Sequence, residues 1–227
     1  SSCIASMKDP LTNRVLIPGF YDDVDEFKST KDIPEFQTKL AELSILYGLG
    51  EHATSRFFDQ LWFLPTLDCN GIISGFVDEG AKTVIPNMAK FKISSRLVSS
   101  QSPEKVSKLI SSYILNYFPS SFSVTVNLLG PHAKPMNVDI DNIYFKLGID
   151  ALKMTHESPI LIQGEGGSIP VLAEFQSLYS SPIILIGLNS PNDNIHAPNE
   201  RFKCSDFMDG IRLYIYYLDL ISKNATN

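Results

Sequence analysis

The hydrophobic pattern of this chain changes its period near residue 135, and no other feature of the sequence constrains the fold as strongly. Before that point, apolar and polar residues alternate over 66–74, 87–98 and 122–128. Such alternation predicts strands with one buried face. A helical repeat over 103–117 separates the last two of these stretches. The order strand, strand, helix, strand predicts an α+β unit with helices on one face of an antiparallel sheet.

The alternation over 87–98 also predicts which side chains are buried. Phe91 and Ile93 fall on the apolar face, whereas Lys92 and Arg96 fall on the other, basic and polar face. Because the side-chain period of a strand is two, a shift by one residue would expose the whole apolar set. We therefore expect the aromatic and aliphatic side chains to face the core and the basic ones to face away from it.

The first third of the chain is less regular. Residues 1–33 are predicted to be a loop, because prolines and an acidic cluster interrupt the apolar repeats. Apolar residues then recur at helical spacing over 34–47, and a second short helix is predicted over 55–63.

After residue 135, helical repeats alternate with short runs that are entirely or mainly apolar. The short runs 160–163 and 183–188 are typical of strands that are buried on both faces of a parallel sheet. This order predicts the end of an α/β domain with a mainly parallel sheet, so we predict two domains, 1–135 and 136–227. The predicted helices of the second domain cover 143–154, 169–179 and 206–222.

Composition and charge exclude several classes of partner. The net charge of −6 and the pI near 5.2 argue against nucleic acid or an anionic membrane surface as the main partner. No run reaches the roughly 18 apolar residues of a membrane helix. The three cysteines are far apart and form no CxxC motif, which indicates reduced thiols and a cytoplasmic location.

A glycine-rich loop at 164–168 is one candidate site. It lies between a predicted strand and a predicted helix, where backbone N–H groups and the helix dipole favour an anion. Ile169 stands where the dinucleotide fingerprint GxGxxG requires its third glycine, which weakens a nucleotide-binding interpretation. A tight turn with Ser168 as the helix cap explains the same residues. Both interpretations remain open from the residues alone.

Arg96 and His196 are the other candidates. The guanidinium of Arg96 can hold a carboxylate with two parallel hydrogen bonds, but a surface arginine paired with an Asp or Glu is an equally simple explanation. His196 lies in the polar loop 189–200, and a single loop histidine is more often a surface or capping residue than a metal ligand. The residues alone thus predict an α/β protein with a candidate anion site.

Three collinear segments resemble the carnosinase-type metallodipeptidases, which are grouped with acetylornithine deacetylase and succinyl-diaminopimelate desuccinylase. They are Gly-Ala-Lys-Thr-Val-Ile-Pro at 80–86 with Lys-Ile-Ser-Ser-Arg-Leu-Val at 92–98, Glu-Gly-Gly-Ser-Ile-Pro at 165–170, and Asp-Asn-Ile-His-Ala-Pro-Asn-Glu at 193–200. Weaker similarity covers 15–23 and 62–71. The resemblance therefore extends over almost the whole chain.

The resemblance implies a protein of two parts. Residues 1–135 would form most of a lid domain through which such enzymes dimerise as homodimers. Residues 136–227 would form the closing part of an α/β catalytic domain with two metal ions, zinc or manganese. The implied reaction is hydrolysis of small peptides or N-acyl amino acids, in which the metal ions polarise the scissile carbonyl.

The resemblance also assigns roles to individual residues. His196 would be a ligand of the second metal ion, and Arg96 would bind the C-terminal carboxylate of the substrate. Gly167 and Ser168 would help to bind the same end of the substrate. Thr83 would reach the active site of the partner subunit. Gly164 stands where the family often has an arginine, which puts the substrate preference in question.

The resemblance implies no general acid or base in this chain. The family uses an HxD motif and a Glu-Glu pair, and this sequence contains neither. We therefore expect the chain to correspond to the C-terminal half of such an enzyme and, alone, neither to hydrolyse peptides nor to bind a metal ion tightly. The alternative is a non-catalytic oligomerisation or regulatory module. A nucleotide or anion binder that uses the 164–168 loop is a third hypothesis.

Overall fold

The computed structural model describes six helices and two strands. The residues that it describes are 1–27, 40, 44, 55–98, 100–130, 132–136, 138–157, 160–164, 169–179, 181–189, 193–195 and 197–225. The helices are α1 (Ser2–Ser6), α2 (Ser55–Trp62), α3 (Pro103–Tyr117), α4 (Ile143–Thr155), α5 (Pro170–Tyr179) and α6 (Cys204–Ala225). The strands are β1 (Asp68–Ser74) and β2 (Ala89–Ser94). In this part of the chain no helix is long and apolar enough to cross a bilayer.

The chain divides into two compact units. The first contains Ser1–Glu26 and Phe63–Pro135, and the second contains Met136–Glu165 and Val171–Asn227 together with α2. The antiparallel sheet belongs to the first unit.

The two strands form an antiparallel ladder whose register agrees with the predicted burial. Ile72 lies opposite Phe91, and the ladder is irregular between Cys69 and Gly71. Phe91 and Ile93 pack against the core of the first unit, while Lys92 on the same strand is exposed. The predicted strands at 66–74 and 87–98 and their orientation are therefore confirmed, with shorter bounds.

The core of the first unit combines the start of the chain with β2 and α3. Met7 and Phe20 are almost completely buried, and Val106 and Ile114 of α3 are buried against the same cluster. The prediction of an irregular loop over 1–33 missed α1, which is only five residues long and buries Cys3. Burial raises the pKa of the Cys3 thiol.

The start of α3 follows the sequence prediction in detail. The Ser102 hydroxyl accepts a hydrogen bond from the Lys105 N–H at 3.2 Å, and Pro103 occupies the first turn. The same hydroxyl donates to the Glu104 carboxylate at 2.7 Å, which lowers the pKa of that carboxyl. This cap determines where the helix begins.

The predicted strand at 122–128 is wrong. Residues 123–129 belong to neither strand, although Val124 and Val126 do pack against the core of the first unit. The alternating pattern thus predicted the burial of these side chains correctly. A strand also requires a backbone partner, and the pattern of one segment does not specify a partner.

The second unit is mainly helical in the part that the structure describes. Helices α4, α5 and α6 confirm the predicted helices, with bounds that differ by one to three residues. The predicted strands at 160–163 and 183–188 are not part of any ladder among the described residues, so the predicted parallel sheet is not formed there. Of the helix predicted over 34–47, only Leu40 and Ser44 are described, and both are helical.

Candidate functional site

Arg96 lies just beyond β2, where two hydrogen bonds to Thr66 fix residues 95 and 96 in place. Its carbonyl accepts a hydrogen bond from the Thr66 N–H at 3.0 Å, and the Ser95 hydroxyl donates to the Thr66 carbonyl at 2.6 Å. The Arg96 side chain is exposed, and it forms no ion pair or hydrogen bond within the described part of the chain. The strand end therefore presents a guanidinium from an anchored backbone, which is an arrangement suited to a carboxylate.

The surface around Arg96 is a basic sheet face, which we define as Lys90, Lys92 and Arg96. All three residues are exposed and alternate with the side chains that pack on the core. Asp68 lies opposite Ser94 and so shares this face. Its carboxylate contacts the Lys8 ammonium at 3.4 Å and accepts the Thr66 hydroxyl at 2.6 Å. The basic sheet face thus keeps an excess of positive charge in a chain that is acidic as a whole.

Thr83 lies in the connection between β1 and β2. Residues 75–88 are exposed throughout, and Gly75 and Gly80 adopt positive φ angles of 81° and 98° that favour glycine. Beside Thr83, Ile85 is 91% exposed, and the Lys82 ammonium lies 5.3 Å from the centre of the Phe76 ring. Sequence reasoning missed this concentration of exposed apolar side chains, although Val84-Ile85 between glycine and proline was a visible signal.

The structure brings two of the five predicted site residues onto one hairpin. Thr83 is in the connection that precedes β2, and Arg96 follows β2. Within the part of the chain that the structure describes, the two side chains form no hydrogen bond with each other. Gly167, Ser168 and His196 lie outside the described residues, so their predicted roles remain predictions.

The segments that flank position 196 are partly described. Asp193 is completely buried, and its carbonyl accepts the Arg201 N–H at 2.8 Å, which closes the loop. Asn194 and Asn199 adopt positive φ angles of 54° and 60°, as asparagine tolerates better than most residues. These turns keep the two ends of the loop close together.

A dinuclear metal centre needs several protein ligands, and the described residues do not supply them. Nowhere in the described ranges do three His, Cys, Asp or Glu side chains come together as a metal site. These residues alone therefore do not fit such a centre.

A cleft of about 330 Å³ in the second unit lies at the start of α4. Its polar lining includes Asp139, which accepts the Asp141 N–H, and Asn142, which caps α4 by accepting the Tyr144 N–H, both at 2.9 Å. These contacts stabilise the beginning of the helix, which accounts for these two polar side chains of the cleft.

Residues 22–121 match the family model of the M20 peptidase dimerisation domain. Over these residues the chain is similar to the M20 peptidase dimerisation domain. The matched residues include the hairpin that holds Thr83 and Arg96, as well as α3. The prediction of a lid-type α+β unit with an antiparallel sheet is confirmed.

The similarity to known proteins extends beyond residues 22–121. The chain is 26% identical to human Beta-Ala-His dipeptidase over 92% of its own length and 43% of that protein. It is 27% identical to the Cys-Gly metallodipeptidase dug1 of Schizosaccharomyces pombe, with coverages of 90% and 44%. It thus spans less than half the length of these curated relatives, and it is homologous to named metallodipeptidases.

Solved M20 structures share the fold. The M20 family metallo-carboxypeptidase Sso-CP2 from Sulfolobus solfataricus superposes with a TM-score of 0.78 at 26% identity, covering 95% of this chain and 50% of that chain. Human carnosine dipeptidase 1 superposes with a TM-score of 0.72 at 24% identity, covering 95% and 47%. The resemblance that the sequence motifs predicted is therefore confirmed at the level of the fold.

Proposed function

We propose that this chain is part of a metal-dependent dipeptidase or related amidohydrolase that cleaves small peptides or N-acyl amino acids. The observation that carries the proposal is the similarity to named metallodipeptidases over 90–92% of the chain. In this proposal, residues 1–135 are the lid and residues 136–227 belong to the catalytic domain.

Arg96 is proposed to bind the C-terminal carboxylate of the substrate. Its exposed guanidinium, its anchored backbone and the positive charge of the basic sheet face support this role. Thr83, Gly167 and Ser168 are proposed as further substrate-binding residues. Homodimers that form through the lid would let Thr83 act in the site of the partner subunit, which agrees with the exposure of residues 75–88.

His196 is proposed as one ligand of a pair of divalent ions, zinc or manganese. When bound, such ions polarise a carbonyl and activate water. We further propose a cytoplasmic location, since Cys3, Cys69 and Cys204 are free thiols.

The carboxylate role of Arg96 is tested in the active assembly that contains this chain. We expect Arg96→Ala to lower kcat/KM about 10–150-fold more for dipeptides with a free C-terminus than for amidated dipeptides, because a charge-assisted hydrogen bond contributes roughly 1.5–3 kcal/mol. Lys92→Ala, on the same face, is the matched control and should affect both substrates alike. Equal losses for both substrates in Arg96→Ala would contradict the role.

A second candidate function is a non-catalytic oligomerisation or regulatory module. The match of residues 22–121 to a dimerisation domain supports it. Titration calorimetry of the 227-residue chain with Zn²⁺ and with Mn²⁺ addresses this candidate, with His196→Ala as the comparison. We expect no tight stoichiometric binding by this chain alone, because one imidazole does not fix a metal geometry. If the chain bound Zn²⁺ or Mn²⁺ with micromolar affinity and His196→Ala abolished that binding, the expectation of no tight binding would be wrong. The non-catalytic module would then be contradicted as well.

A further inference from the structure

The position of the Arg96 guanidinium depends on how its backbone is held. In the described part of the chain, the Arg96 side chain forms no ion pair and no hydrogen bond. Asp68, an acidic residue on the basic sheet face, instead accepts the Thr66 hydroxyl at 2.6 Å and contacts the Lys8 ammonium at 3.4 Å. The residues that hold the backbone at Arg96 therefore decide where its guanidinium is presented.

The ladder between β1 and β2 ends before it reaches Arg96. Its last pair on this side is Asp68 with Ser94, and the same register would pair Thr66 with Arg96. The Thr66 N–H does donate to the Arg96 carbonyl, at 3.0 Å. In a continued antiparallel ladder the Arg96 N–H would donate to the Thr66 carbonyl in return. Here the Ser95 hydroxyl donates to that carbonyl, at 2.6 Å.

The chain is also held on the other side of Arg96. Leu97 packs against the core of the first unit. The amide oxygen of Gln101, a residue that is 3% exposed, accepts the Val98 N–H at 3.1 Å. Because these contacts fix the far end of the segment, the bond from Ser95 decides the orientation of the near end, from which the guanidinium extends.

We propose that Ser95 is a positioning residue for Arg96. Its bond to the Thr66 carbonyl holds the guanidinium where it binds the C-terminal carboxylate of a peptide substrate. The inference rests on the proposed function, because that carboxylate is the ligand of Arg96. It adds a determinant of specificity that itself touches no substrate. Without the bond the guanidinium is less well ordered before binding, and ordering it then weakens the affinity for the carboxylate.

The first measurement uses the active assembly that contains this chain, with free and amidated dipeptides as substrates. We expect Ser95→Ala to raise KM for free dipeptides about 2–10-fold, the range for one neutral hydrogen bond, and to leave kcat unchanged. Amidated dipeptides lack the carboxylate, so their KM should not change. Ser95→Thr retains the hydroxyl and should restore the KM for free dipeptides.

Ser74→Ala is the matched control for the loss of a serine hydroxyl. The Ser74 hydroxyl also donates to a carbonyl across the hairpin, that of Met88 at 3.4 Å, but at the opposite end of the ladder. Its removal should leave the KM of both substrates unchanged. Adding Ser95→Ala to Arg96→Ala should cause no further loss, because Ser95 acts through that guanidinium.

The second measurement is independent of activity and uses the 227-residue chain. Ser95→Ala should speed amide hydrogen exchange at Thr66 about 2–10-fold, because the Thr66 N–H bonds to the Arg96 carbonyl that Ser95 helps to hold. Ser74→Ala should leave exchange at Thr66 unchanged. Should Ser95→Ala lose its helical circular dichroism, Ser95→Cys takes its place, since a thiol has a similar size and is a weaker donor.

Three outcomes would overturn the proposal. They are unchanged exchange at Thr66 in Ser95→Ala, equal increases of KM for free and amidated dipeptides, and an effect of Ser95→Ala that persists in the Arg96→Ala background. If Arg96→Ala affects both substrates alike while Ser95→Ala still speeds exchange at Thr66, the carboxylate role of Arg96 is wrong. The positioning of Arg96 by Ser95 then stands without it.

Discussion

The two units of this chain differ in how completely their apolar side chains are covered. In the first, Phe20 and Ile114 are almost fully buried in a core shared by the start of the chain, β2 and α3. In the second, Leu213 is equally buried, yet the same helix also carries exposed apolar side chains, among them Ile215 and Leu218. Amphipathic sequence thus forms helices in both units. A closed core forms only where a second layer covers the apolar face.

The largest expected effect breaks the core of the first unit. Phe20→Ala should lower the free energy of unfolding by about 3–5 kcal/mol, because it leaves a cavity where a fully buried ring packs. Ile215→Ala in the exposed stripe of the second unit should change it by no more than about 0.5 kcal/mol. Urea unfolding followed by circular dichroism measures both. If both variants lost the same free energy of unfolding, the apolar side chains of the two units would not differ in how well they are covered.

An intermediate effect concerns the N-cap of α3. Ser102→Ala should cost about 1 kcal/mol, because the Lys105 N–H loses its acceptor. It should also raise the pKa of Glu104, whose carboxyl loses the hydrogen bond that lowers it. The stabilisation from this lowered pKa is present above the unfolded-state pKa and is lost as the pH falls through the folded-state pKa. NMR titration checks the pKa, and Ser112→Ala on the exposed face of α3 is the control.

The smallest effect compares two glycines of the second unit. Gly148→Ala should stabilise α4 by about 0.5–1 kcal/mol, because alanine favours a helix and its Cβ would meet neighbours at an ordinary 3.8 Å. Gly210→Ala should gain less or lose stability, since its Cβ would lie 2.5 Å from Leu188 and force that side chain to move. Thermal unfolding of the two variants gives the comparison. A larger gain for Gly210→Ala would mean that Leu188 does not pack there.

Local sequence predicted helices more reliably than strands. The N-cap Ser102 and the apolar repeat of α3 lie within one segment, so the helix could be located from that segment alone. Val124 and Val126 alternate as strand residues do and are packed on the core, yet they join no ladder. Helical hydrogen bonds are internal to the segment, whereas a ladder depends on a second segment.

The candidate site was predicted in part for the same reason. The exposure of Arg96 followed from the alternation of β2 and was found as predicted. Its role as a carboxylate ligand came from family resemblance and stays a proposal, as do the roles of Gly167, Ser168 and His196. The exposed face of segment 183–188, which includes Leu185, was not predicted. An all-apolar run does not reveal which of its two faces is covered.

The sequence by itself determined five of the six described helices, the two faces of β2, the acidic charge and the motifs of the M20 resemblance. Each of these depends on residues close together in the chain, where propensity, capping and periodicity act. Only the tertiary structure decided that α1 closes the first core, that 123–129 stays outside the sheet, and that Leu185 is open while Ile184 and Ile186 pack on α4. Those outcomes depend on which distant surfaces meet, because burial and strand pairing are properties of two segments and not of one.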